Sequence, residues 1–107
     1  GRLSQRLNKD GYNILMSHYP DSILNLFGNG IDLVLAGHTH GGQVCLPFIG
    51  PIITLSNVPR KIAAGGFHLY NGKSIIVNRG LGMEGHVAPR IRILSRPHLV
   101  LLELVPE

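Results

Sequence analysis

The sequence predicts an α/β fold organised around a parallel strand–helix–strand unit, and three observations carry the prediction. Two apolar runs, 14–16 and 31–36, lie on either side of one amphipathic segment. The crossover between them is about a dozen residues, the minimum for a parallel connection. Each run leads into a histidine, His18 and His38. Further along, "GFHLYNGKSIIVN" combines alternating apolar residues with an Asn71-Gly72 turn, the signature of a two-residue hairpin.

Taken in order, Leu3 and Leu7 stand four apart among polar residues and read as a short amphipathic helix ending at Gly11, which suits a left-handed cap. The run 14–16 is the first strand. In "PDSILNLFGNG", Asp21 or Ser22 caps a second helix whose buried stripe is Ile23, Leu24 and Phe27, and Gly28 to Gly30 end it. "IDLVLA" is an apolar run interrupted only by Asp32, as expected of a strand covered on both faces. Pro47, Pro51 and Pro59 predict an irregular loop over 46–60, with one short strand at 52–55. The hairpin is expected to pair 67–70 with 74–78, with His68 facing solvent. A glycine-rich loop, "NRGLGMEG", follows, and "HLVLLELV" is expected to form a final strand.

A length of 107 residues suits one small core, and 44% apolar against 15% charged residues indicates a globular chain. No apolar run approaches the roughly 18 residues of a membrane span, and no signal-peptide pattern is present. Cys45 is the only cysteine, which excludes an internal disulfide. The formal charge of +4 is compatible with an anionic partner. Arg90 and Arg92 alternate with Ile91 and Ile93, a pattern that a strand with one solvated face also gives. With 6% aromatic residues there are few stacking platforms, so nucleic acid is set aside as a specific partner. A helical pattern starts directly at Gly1, which suggests a longer natural chain.

The chemistry concentrates in "LVLAGHTHGGQV". Neutral imidazole is a common metal ligand. Ligands and substrates in open α/β sheets meet beyond the carboxyl ends of the strands. His38 and His40 follow the second strand, and His18 ends the first. The flanking glycines permit sharp turns and close approach of a phosphate. The residues themselves leave two arrangements open, a dinuclear site and a mononuclear site built from the three histidines.

These residues also carry a family resemblance. "LVLAGHTHGGQVCLPFIGP" resembles the Gly-His-x-His signature of calcineurin-like metallophosphoesterases, "ILMSHYPD" resembles the preceding histidine block, and "VNRGLG" the segment that follows. The likeness runs from Tyr12 onward and is nearest to a bacterial membrane- or envelope-associated phosphodiesterase branch. It implies an α/β fold that is the C-terminal lobe of a sandwich with mixed sheets, residues 1–107 forming a single partial domain. It implies two divalent ions (Mn, Zn, Fe or Ni), His18 and His38 binding one and His40 the other, with an activated water attacking a phosphate ester. The family's upstream Asp-x-His, Gly-Asp and Gly-Asn-His blocks, which supply the bridging carboxylate and the general-acid histidine, are absent here. The resemblance therefore places no certain catalytic residue in this chain, and the chain alone is expected to be inactive.

Arg79 is the candidate substrate ligand, since guanidinium matches phosphate oxygens with two hydrogen bonds. His86 lies in the same glycine-rich region, and His98 opens the expected last strand. The apolar "CLPFIGPIITL" suits contact with a lipid-linked phosphate ester or packing over the sheet. A reading of another class is a non-catalytic lobe that associates with itself or another chain through an open sheet edge.

Overall fold

The computed structural model describes residues 7–26, 30–42, 45–48, 50–51, 56–82 and 93–106. The elements are β1 (Ile14–Ser17), a 3-10 helix (Pro20–Asn25), β2 (Leu33–Ala36), a 3-10 turn (His40–Gly42), β3 (Cys45–Leu46), β4 (Gly50–Pro51), α1 (Arg60–Ala63), β5 (Gly66–Tyr70) and β6 (Lys73–Val77). The main sheet has four strands in the order β1-β2-β6-β5. β1 and β2 are parallel, as are β2 and β6, while β5 is antiparallel to β6. The sheet is therefore mixed and the fold α/β, as expected. β3 and β4 form a separate antiparallel pair.

Strand alternation decides what is buried. Val34 pairs with Ile75 and Ala36 with Val77, all on one face. Ile23, Leu26, Ile31, Val58, Ile62 and Ala63 complete the core with them. The register Met16–Leu35–Ile76–Phe67 crosses the opposite face. Its outer members, Met16 and Phe67, are 80% and 61% exposed.

The second helix is shorter and tighter than its sequence suggests. A 3-10 helix repeats every three residues, so Ile23 and Leu26 are the buried pair and Leu24 is only partly covered. Phe27 lies outside the described residues. Neither Asp21 nor Ser22 caps this helix: Tyr19 is the N-cap, and Pro20 opens the first turn. Asp21 instead binds a segment 35–37 residues away, accepting hydrogen bonds from Ser56 Oγ (2.6 Å) and the Asn57 and Val58 amides (2.7 and 3.2 Å).

The hairpin forms as read, with Asn71 and Gly72 at φ 50° and 76° between β5 and β6. Its facing is reversed. His68 lies on the more covered side, with Nε2 3.0 Å from the Gly65 carbonyl, while Phe67 and Leu69 are exposed. Strand alternation is legible in a sequence, but which side has a covering layer is not. Gly11 does not take the expected left-handed conformation, whereas Gly30, after the second helix, does (φ 66°). α1 was not anticipated, because Pro59 reads as a breaker; it serves here as the N-cap. The expected final strand does not form; residues 99–106 carry no regular secondary structure, and His98 makes an isolated antiparallel bridge to Gly80. The expected first helix is not continued over residues 7–11, which form a turn, and its first six residues lie outside the described residues, as do the expected strand at 52–55, Glu84, His86, Arg90 and Arg92.

Candidate metal centre at the strand ends

Parallel pairing of Ser17 with Ala36 brings the carboxyl ends of β1 and β2 side by side. The Gly37 amide donates to the His18 carbonyl at 3.4 Å, so the two histidine-bearing connections leave the sheet together. The His18 and His38 rings stand 4.7 Å apart, centroid to centroid. Tyr19 packs against both, at 4.6 Å from His18 and 4.2 Å from His38. Tyr19 was missed in the sequence; its only signal was adjacency to His18. A shallow depression of ≈ 400 Å³, lined by Met16, Ser17, His18, Leu35 and Ala36, adjoins the site.

The loop after β2 is strained and firmly held. His38 and His40 both have positive φ, 66° and 49°. Each such non-glycine conformation costs roughly 1–3 kcal/mol and persists only where surrounding contacts over-determine it. A three-residue turn closes over His38, with the Thr39 amide donating to the Gly37 carbonyl at 2.8 Å. The Gly42 amide then donates to the Thr39 carbonyl at 2.7 Å. The side chain of Thr39, 4% exposed, donates to the Ala63 carbonyl at the end of α1 (2.7 Å). Ser95, 2% exposed, donates to the His40 carbonyl at 2.9 Å. Thr39 and Ser95 are the buried polar side chains among the described residues, and both hold this loop.

The His40 ring is oriented as well. Its Nδ1 lies 3.1 Å from the Gly82 carbonyl oxygen. Only a protonated Nδ1 makes this hydrogen bond, which in the neutral ring puts the lone pair on Nε2. Carbonyl-anchored imidazoles of this kind are the usual form of metal-ligating histidine. The donor set therefore fits a divalent cation in chemistry and tautomer. It is partial: among the described residues, no three His, Cys, Asp or Glu side chains converge on one point. The three imidazoles do not form a ready mononuclear site.

Arg79 follows β6, which β2 holds in place through the Asn78 amide and the Ala36 carbonyl (2.8 Å). Its aliphatic stem runs against Gly65. His68 is tied to Gly65 and His98 to the Gly80 carbonyl through its backbone amide (3.0 Å), so neither joins the pair at the strand ends. No helix among the described residues is long and apolar enough to cross a membrane.

The chain is similar over most of its length to bacterial metallophosphoesterases, which suits the imidazoles gathered at its strand ends and the glycine-framed His-Thr-His loop. It is 41% identical over 103 residues to the metallophosphoesterase YkuE of Bacillus subtilis (strain 168), covering 96% of this chain and 33% of that protein. It is 33% identical over 93 residues to the phosphodiesterase YaeI of Escherichia coli (strain K12), covering 86% and 32%. It is 36% identical over 100 residues to the UDP-2,3-diacylglucosamine pyrophosphatase LpxG of Chlamydia trachomatis serovar D, covering 88% and 29%. The chain thus spans about a third of the length of the curated relatives it matches. No family model and no solved structure matches it.

Proposed function

We propose that the protein hydrolyses phosphate esters at a dinuclear metal centre to which this chain contributes His18, His38 and His40. The observation that carries the reading is the 4.7 Å pairing of the His18 and His38 rings at adjacent parallel strand ends, beside the anchored His40. His18 and His38 would hold one ion, and Nε2 of His40 would be a ligand of the second. Such ions, when bound, would supply an activated water and neutralise phosphate oxygens. The residues of this chain fix ligand geometry: Thr39 and Ser95 pin the loop backbone, and Gly82 sets the tautomer of His40. Arg79 is the proposed phosphate ligand, since its loop leaves the end of β6 beside Ala36 of β2. We read residues 1–107 as a partial domain, with the anionic ligands and the general acid supplied by other parts of the protein.

Three neutral imidazoles offer no negative charge against two divalent cations, so this chain alone binds metal weakly and is inactive. One relative is named for a diacylated nucleotide sugar, which supports a lipid-linked ester as the substrate class. The test is turnover of bis-(p-nitrophenyl) phosphate by full-length protein with manganese. His38→Ala should abolish turnover and lower metal content. Unchanged turnover in that variant, or turnover by the isolated chain that depends on His38, would overturn the reading.

A second reading rests on the β1 edge, where Ile14 and Met16 are exposed and no further strand pairs among the described residues. Such an edge supports self-association of the isolated chain, measurable as concentration-dependent sedimentation.

A further inference from the structure

We propose that Ser95 is a positioning residue for the metal-binding loop, the centre of a clamp formed by the segment 93–98. This rests on the reading of His40 as a ligand, and three contacts carry it. The Ile93 carbonyl accepts the Cys45 amide at 2.8 Å, just beyond the His40 turn. The Ser95 hydroxyl donates to the His40 carbonyl at 2.9 Å, from a side chain that is 2% exposed. The His98 amide donates to the Gly80 carbonyl at 3.0 Å, two residues before the Gly82 carbonyl that receives His40 Nδ1.

The segment therefore reaches His40 by two routes: directly on its backbone through Ser95, and indirectly on its ring through the 80–82 loop. Leu94 makes the double grip possible. Its φ of 55° puts a left-handed residue between the Ile93 carbonyl and the Ser95 hydroxyl, and both meet the same loop. A leucine in that conformation is costly and needs its neighbours to hold it. His40 is itself at φ 49°, so the clamp joins two strained positions 54 residues apart in sequence (94 − 40). Left-handed backbone at a histidine persists only while its neighbours hold it, so removing the Ser95 contact lets the loop relax and the ring leave its ligating position.

The experiment compares full-length wild-type protein with Ser95→Ala and Ser95→Cys, the second filling the buried site with a near-isosteric but weak donor. Manganese affinity is measured by competition with a chelating dye, alongside thermal stability with and without metal. Loss of an outer partner of a metal ligand costs about 10–100-fold in affinity. The titration step that His40→Ala abolishes should weaken by that factor in both variants, and the step assigned to His18 and His38 should stay close to wild type. The stabilisation conferred by saturating manganese should shrink accordingly.

A merely structural serine would lower the melting temperature of the apo-protein and leave both affinities unchanged; that result would overturn the proposal, as would equal weakening of both steps. His40→Ala separates the two levels of the argument. If it loses one ion while Ser95→Ala and Ser95→Cys lose none, the role of Ser95 falls and the metal assignment stands. If His40→Ala keeps both ions, the assignment and the proposal fall together.

Discussion

Asp21 ties the first crossover to the loop before α1, and its removal is the most informative stability test. Its Oδ1 accepts from Ser56 Oγ at 2.6 Å, the Asn57 amide at 2.7 Å and the Val58 amide at 3.2 Å, and its Oδ2 receives a longer bond from Asn57 Nδ2 at 3.4 Å. Hydrogen bonds to a charged group contribute roughly 1.5–3 kcal/mol each. Three act through one oxygen at a half-buried site, so they share its charge and do not add; Asp21→Ala should cost about 3 kcal/mol. Asp21→Asn keeps one carbonyl oxygen for the two amides and should cost about 1 kcal/mol, since the charge and the long Asn57 Nδ2 bond are lost. The assay is urea denaturation of the full-length protein, followed through the transition containing this region, with m compared to confirm that the folded state is intact. Asp21 lies three residues after His18, so the loosened helix should also weaken metal binding. A cost below about 0.5 kcal/mol for Asp21→Ala, the range of ordinary surface substitutions, would refute the claim that this carboxylate is a structural anchor.

Gly65 and Gly72 have similar backbone demands, φ 97° and 76°, but different surroundings. Gly72→Ala has open space and should cost about 1–2 kcal/mol for the left-handed backbone alone. Gly65→Ala places a Cβ 2.7 Å from Arg79 Cγ and 3.2 Å from the Val77 carbonyl, so it should be clearly worse, with Arg79→Ala recovering part of the loss in a double-mutant cycle. Equal costs at the two glycines would show that Arg79 does not rest on Gly65. Thr39→Val keeps the shape of the buried side chain but removes its bond to the Ala63 carbonyl; a loss of about 1–3 kcal/mol is expected, together with reduced manganese affinity. Stability and affinity both unchanged would remove Thr39 from the account. The isolated 107-residue chain should show no turnover of bis-(p-nitrophenyl) phosphate and regain it only with the rest of the protein; activity of the chain alone would contradict that.

What the sequence determined by itself is local and periodic. Apolar runs at 14–16 and 31–36 became β1 and β2, the Asn71-Gly72 pair closed the β5–β6 hairpin, and the shared position of His18 and His38 after two parallel strands brought their rings together. Each follows from residue types a few positions apart. Tertiary structure decided what depends on the path of the whole chain. It chose the face of β5 that stays exposed, because that depends on which layer covers the sheet. It shortened the second helix to a three-residue repeat, burying Ile23 and Leu26 and leaving Leu24 only partly covered. It turned Asp21 from a supposed cap into an anchor for residues 35–37 positions away, and gave His40 its partners Gly82 and Ser95 from 42 and 55 positions away. Serine, aspartate and a glycine carbonyl can each bind many partners, so composition and periodicity do not select among them; only folding, by bringing distant backbone into reach, makes the choice.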